Sequence, residues 1–324
     1  VDEDFIQAYG AKIIKGADNV WKAEAPFNML ETIADSVKGL SFMKLPDSAI
    51  PSAIESEGVG LTGASSYHSG GYTGAGVKVA VIDVGFAGVS SAISDGELPN
   101  TAIMIDCTGS SCLPTDFSSE TDLLGTAVAE IVHDMAPEAT LYLIKIYDTL
   151  DLRDAKNYAV SNGIKIINHS ATYVNTNFYG GQCYNSNAVC TANDANTNGI
   201  LWVNAMGNYG EKHYGATFTD FSGFGFHHVA GSDWTIDIEA SAGDVVNVNL
   251  TWEDWPTTDQ DYDLELYDSD MDLVASSNDI QTGTQPPTEA ISYSVPATGT
   301  YYLAIYKYSA TSDHRLAVFS YNHK

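Results

Sequence analysis

Basic side chains are what this sequence most lacks. Against 42 Asp and Glu it carries only 14 Lys and Arg, a formal net charge of −28 over 324 residues. Nothing in it can neutralise a phosphate backbone, which excludes nucleic acid as a partner. The same excess favours solubility in salt and the binding of divalent cations. Long apolar runs are absent too: no stretch approaches the roughly 18 consecutive apolar residues of a membrane span. Cysteine is scarce, with four residues in two close pairs, Cys107 with Cys112 and Cys183 with Cys190. Four cysteines allow three connectivities. Both pairs sit in Gly/Ser/Asn-rich loops that can bend back, which favours local pairing. A zinc site is the alternative, but the spacings do not suit a ribbon and no His lies close by. Two loop disulfides imply an oxidising, extracellular setting. The chain opens on Val1 without a signal peptide, so it reads as a mature or processed product. What is present, 44% apolar residues and 28 glycines, describes a globular protein long enough for two or three domains.

The chain is organised around residues 74–83, GAGVKVAVID. Val77, Val79, Val81 and Ile82 make a short apolar run, with Gly74 and Gly76 before it and Gly85 after it. A β-branched run of this length bounded by glycines reads as a buried parallel strand. Asp83 ends it, and in open α/β sheets the carboxyl ends of strands are where chemistry is placed. A carboxylate buried there has to be paired, hydrogen-bonded or functional.

This stretch resembles the aspartate motif of subtilisin-like serine proteases. Residues 124–130, LGTAVAE, resemble the family's histidine motif, in which His-Gly-Thr opens a helix. Residues 201–210, LWVNAMGNYG, are similar to the strand and turn that carry the oxyanion-hole Asn, here Asn208. Residues 166–170, IINHS, resemble the strand lining the substrate cleft. Two departures matter. Leu124 stands where the family has its catalytic His, and no Gly-Thr-Ser followed by small residues and Pro comes after Asn208. A triad needs a base to take the Ser proton and an Asp to orient that base, so Asp83 alone has nothing to orient. His133 cannot substitute: nine residues beyond Leu124, it lies roughly 13 Å along the helix, far outside hydrogen-bond reach. His169 and Ser170 are adjacent on a strand and point to opposite faces. Thr172 replaces the family's glycine and narrows any peptide cleft.

The fold class implied is α/β: an incomplete subtilisin-like parallel-sheet body, preceded by a small ferredoxin-like α+β module and followed by an antiparallel β-sandwich of jelly-roll type. Residues 1–46 read as α-β-β-α-β, with a helix over 2–9, strands over 11–15 and 20–25, a helix from Pro26 to Val37 and a strand over 40–45. This order resembles a subtilase propeptide without its first strand; a small α/β cap of another kind is the alternative. An active enzyme cuts such a module off, so its retention agrees with inactivity. In the body, residues 47–230, helices are expected over 122–134 and 152–162, with 87–100 a polar loop and 192–197 a connection. In residues 231–324, period-two alternation marks six short strands. Ala242-Gly243-Asp244 early and Pro296 to Leu303 late resemble the prepeptidase C-terminal domain of secreted proteases. Asp259, Asp261 and Asp263 alternate along one stretch, and hard oxygen ligands in an acidic secreted domain suit calcium. Asp254 and Asp268 are further candidates. A solvated acidic edge that discourages strand pairing is the other reading. Trp252 and Trp255 invite a carbohydrate-binding reading that rests on nothing else.

In the relatives, a β-domain of this kind is inserted into the body and the nucleophile helix follows it; here the sequence ends at Lys324. A body without that helix exposes an apolar groove that another chain must cover. Two functions follow. One is a secreted non-catalytic structural or binding protein that self-associates into an extracellular multimer or filament. The other is the N-terminal part of a subtilisin-like endopeptidase whose nucleophile segment lies on a separate piece.

Overall fold

The computed structural model describes residues 7–17, 20–38, 55–178, 181–184, 187–321 and 323. The chain divides into two compact units, Val1–Ser52 and Ala53–Lys324.

In the first unit, β1 (Lys12–Ala17) and β2 (Val20–Glu24) form an antiparallel hairpin with a register shift between Ile13 and Lys15. A 3-10 turn at Phe27–Met29 leads into α1 (Leu30–Ser36). Ala11, Ile33 and Val37 form its small core. Most of the helix expected over 2–9, and the strand expected over 40–45, lie outside the described residues.

The second unit opens with two short helices, α2 (Glu57–Leu61) and α3 (Ala64–Ser69). The expected central strand follows as β3 (Lys78–Asp83). It pairs in parallel with β6 (Thr140–Lys145) on one side and β7 (Ile166–His169) on the other. Outside these lie β4 (Ile103–Asp106), parallel to β6, and β8 (Leu201–Asn204), parallel to β7. The two-residue β5 (Leu113–Pro114) adds an antiparallel edge, giving the order β5-β4-β6-β3-β7-β8.

Both faces of the central strands are covered, which is why β3 is apolar at successive positions and does not alternate. Ala80, Ile82, Tyr142 and Ile144 pack on α6 (Thr149–Ser161) and α7 (Ala188–Thr197). Val79, Val81, Leu141 and Leu143 pack on α4 (Val89–Asp95) and α5 (Leu124–Met135). Two of these helices fall where a loop or connection was expected. α4 is a two-turn helix bounded by Gly88 and Gly96, both with positive φ. α7 is capped by Asn187, whose side chain accepts the Cys190 N–H at 3.1 Å, an N-cap within an Asn-rich stretch that reads as loop.

The C-terminal part is a sandwich of two four-stranded antiparallel sheets. One holds β10 (Ile236–Ala240), β15 (Gly299–Ser309), β12 (Asp261–Tyr267) and β13 (Leu273–Ser277). The other holds β14 (Thr288–Ser294), β11 (Val245–Trp252), β16 (Arg315–Ser320) and β9 (His213–Thr217). The sandwich therefore begins before residue 231, because β9 pairs with β16 from Phe319↔His213 to Arg315↔Thr217. Glycine and histidine at alternate positions hide β9 from a period-two reading. Trp252 is fully buried in the core with Tyr262, Leu264 and Leu266, which removes it as a sugar platform. The sandwich touches the α/β part where Asn175 donates to Asn249 Oδ1 at 3.0 Å.

Two packing details carry predictions. The Gly125 N–H donates to the Gly85 carbonyl at 3.1 Å, and a Cβ on Gly125 would strike that oxygen and come within 2.7 Å of the Phe86 ring. Gly125→Ala is expected to lower unfolding stability by about 2–4 kcal/mol in urea denaturation. In the sandwich, buried His227 accepts the Thr219 N–H on Nδ1 at 3.0 Å, so its Nε2–H donates to Tyr214 Oη at 2.8 Å. The ring is thus held neutral, and burial, then His228, push its pKa down to about 4. Unfolded His titrates near 6.5, so this site supports folding above that pH and loses its contribution as pH falls toward 4, up to about 3 kcal/mol. His227→Gln keeps one acceptor and one donor and is expected to flatten the melting-temperature profile of the wild type across that window.

Candidate functional site

Asp83 closes β3 at the carboxyl edge of the sheet and is fully buried. Its Oδ1 accepts the Val84 N–H at 2.7 Å, while Oδ2 has no hydrogen-bond partner. Burial pushes its pKa up, the Val84 N–H pulls it down, and the Asp122 carboxylate raises it again. The neighbourhood is acidic. Asp122 Oδ1 accepts the Leu124 N–H at 2.9 Å and its carbonyl accepts the Ala87 N–H at 2.7 Å. Glu120 pairs with the Lys145 ammonium at 2.7 Å.

Leu124 is the first residue of α5 and is 49% exposed. The Gly125–Gly85 contact puts the start of this helix beside the end of β3. The spot is therefore occupied by a hydrocarbon with no proton to exchange. His133 sits in the last turn of the same helix, remote from Asp83 as its sequence spacing requires.

His169 and Ser170 form no dyad. Buried His169 donates from Nδ1 to Asn204 Oδ1 at 2.6 Å and stacks on Tyr173 with ring centroids 5.8 Å apart. The Trp202 ring lies tilted to it, with centroids 5.5 Å apart. Burial pushes the His169 pKa down, against the Asn204 hydrogen bond. The Ser170 hydroxyl donates instead to Asn168 Oδ1 at 3.3 Å. Asn208 lies exposed in the turn after β8. The two disulfides are local, Cys107–Cys112 and Cys183–Cys190.

The acidic stretch of the sandwich is split by the fold. Asp259 is exposed and holds Gln260 Nε2 at 2.6 Å. Asp254 accepts from Thr258, and Asp268 caps its own turn by accepting the Asp270 and Asp272 N–H groups. Asp261 and Asp263 are buried on β12, and two residues from beyond β13 join them. Glu289 accepts from Ser277 Oγ and from Gln281 Nε2, the latter at 2.7 Å. The Gln281 backbone N–H bonds the Asp261 carboxylate. Burial, then Asp261, Glu289 and Glu265, push Asp263 up to about 7. Gln281, in the loop after β13, and Glu289, on β14, lie 18 or more residues past Asp263, with no signal tying them to the Asp stretch. Among the described residues, no three His, Cys, Asp or Glu side chains stand close enough together to hold a metal ion.

Residues 234–307 match the bacterial pre-peptidase C-terminal domain. That match covers most of the sandwich and none of the α/β part. No curated protein matches the chain. Among solved structures, FlgD from P. aeruginosa overlaps 26% of this chain and 74% of its own at 11% identity, with a TM-score of 0.19. A carbohydrate-binding module of Cellvibrio mixtus lichenase 5A, in complex with cellotriose, overlaps 34% and 90% at 11% identity and a TM-score of 0.20. A family 35 carbohydrate-binding module from Clostridium thermocellum overlaps 33% and 89% at 14% identity and a TM-score of 0.19. Scores this low carry no argument about fold or ligand. Among the described residues no helix is long and apolar enough to cross a membrane.

Asp83 yields a prediction with a definite sign. Its raised folded pKa means that its penalty is absent below the ordinary carboxyl value, grows as pH rises from there toward the folded pKa, and is constant above it. Asp83→Asn keeps an acceptor for the Val84 N–H and cannot ionise. Its unfolding free energy relative to wild type is expected to increase from about pH 4 upward and then level off, measured by urea denaturation at several pH values.

Proposed function

We propose that this chain is a secreted, non-catalytic relative of the subtilisin-like proteases that serves as a structural or binding unit and associates with copies of itself. The observation that carries the reading is Leu124, a hydrocarbon at the start of α5 beside the buried Asp83. Loss of the base alone removes most of a triad's rate enhancement, and neither His133 nor His169 replaces it. The local disulfides and the pre-peptidase C-terminal match accord with an extracellular setting.

The case for association rests on β8. It is an edge strand whose Leu201 and Val203 are 59% and 46% exposed, and Met206 just beyond it is 97% exposed. An apolar sheet edge invites another strand. A second copy of the chain added there covers it, and a head-to-tail contact of this kind propagates.

Light scattering and electron microscopy of the purified full chain are expected to show multimers. Val203→Lys is expected to weaken their formation at least about tenfold, because a charge on the edge opposes pairing. A fluorophosphonate probe is expected to leave the protein unlabelled. A monodisperse monomer defeats the assembly reading. A labelled serine, or a co-purifying piece that carries a Gly-Thr-Ser segment, returns the chain to the proteases as part of a nicked enzyme.

A further inference from the structure

Two apolar features of the Ala53–Lys324 unit face solvent. The first is a groove. The registers Val79↔Ile166↔Leu201 and Val81↔Asn168↔Val203 put Leu201 and Val203 on the sheet face that Val79 and Val81 turn toward α4 and α5. Those helices cover this face over β6 and β3, whereas at β8 both side chains stand exposed. On α5, Glu130 feels the Glu97 carboxylate that follows α4, and so marks the side of the helix turned to α4. Val128 stands about 160° round the helix from Glu130, toward β7, with exposed Leu124 and Ile131 beside it. α5 therefore carries a second apolar stripe, the wall to a floor of Ile166, Leu201 and Val203.

The second feature is a loop of the sandwich. Asp220 accepts the N–H groups of Ser222, Gly223 and Gly225 and the Ser222 hydroxyl, all at 2.7–2.9 Å. The Gly225 carbonyl takes the Lys307 N–H of β15 at 2.8 Å, and a Cβ on Gly225 would lie 2.6 Å from the Tyr306 ring. The turn is thus held from inside and tied to the sheet, yet Phe221 and Phe224 on it are 74% and 78% exposed. Residues 221–226 carry no charged side chain, and neither do the residues that form the groove. Elsewhere a chain of net charge −28 repels its own copies. We propose that the Phe221–Phe224 loop of one copy seats in the groove between α5 and β8 of the next. This rests on the reading that the chain self-associates and names the segment that covers the exposed β8 surface. A loop already fixed loses little conformational freedom on docking, and aromatic anchors in an apolar cleft dominate interface energies. Each copy offers one loop and one groove, so the contact runs head to tail and propagates. The two phenyl rings bury roughly 300 Å² between them, which sets a single contact in the weak class.

The test is sedimentation of the full chain over a concentration series, with the melting temperature as the check that each variant is folded. Wild type is expected to grow beyond a dimer as its concentration rises through the micromolar range. Phe221→Ser/Phe224→Ser, which removes the rings of the loop, and Val203→Lys, which charges the groove, are each expected to raise the concentration required at least about tenfold. Mixed in equal amounts, the two variants are expected to form a 1:1 dimer and nothing larger, because one keeps a groove and the other a loop. Wild-type multimers that persist unchanged in Phe221→Ser/Phe224→Ser overturn the proposal and leave self-association standing through another surface. A wild type that stays monomeric defeats both. A mixture of the variants that stays monomeric, or that grows past a dimer, also overturns the proposal.

Discussion

A glycine packed against a glycine holds the centre of the α/β part together. The Gly125 N–H reaches the Gly85 carbonyl at 3.1 Å, with no side chain on either to keep backbone from backbone. Gly85 is equally confined, since a Cβ there would lie 2.7 Å from the Asp122 Cβ. This contact ties the start of α5 to the end of β3. It aligns the one helix and the one strand whose termini meet at Asp83. The buried faces on either side of the sheet follow from it: Val79 and Val81 meet α4 and α5, while Ala80 and Ile82 meet α6 and α7. Whatever residue stands at position 124 is therefore presented at that edge. The sequence places leucine there.

Charge sets the second constraint. With 14 basic residues against 42 acidic ones, the fold cannot pair most of its carboxylates with cations. It uses backbone N–H groups instead. Asp220 accepts from Ser222, Gly223 and Gly225 and is held down to about 2 despite the opposing pull of burial. Asp148 accepts the Leu150 and Asp151 N–H groups and caps α6. Turns and helix starts can absorb negative charge in this way because their N–H groups are free to donate. Strand β12 cannot, because its backbone is committed to β13 and β15. Asp261, on β12, is left with an unsatisfied oxygen.

What could be read from the sequence depended on how local the signal was. The β-branched run before Asp83, the helix opening at Leu124 and the two loop disulfides are written in consecutive residues, and each lies where it was expected. So are most sandwich strands, whose period-two pattern comes from one face packing inward. Helices α4 and α7 were missed because glycines and asparagines, which usually mark loops, serve here as their caps. Strand β9 was missed because Gly215 interrupts its pattern and its partner β16 lies about a hundred residues away. The acidic corner was half legible. Alternation put Asp261 and Asp263 together, but Glu289 and Gln281 arrive from another strand and loop, and only tertiary structure brings them in.

Asp83 has a structural role that does not involve catalysis. Its Oδ1 takes the Val84 N–H at the point where β3 leaves the sheet. Removing the acceptor strands that N–H, whereas keeping the carboxyl leaves only Oδ2 unsatisfied. A leucine at 124 has no such backbone duty, since the Asp122 side chain already accepts its N–H. The two positions are thus under different structural constraints. The aspartate is anchored by the turn it makes. The residue at 124 is held only by the exposed helix end it begins, where a hydrocarbon costs little.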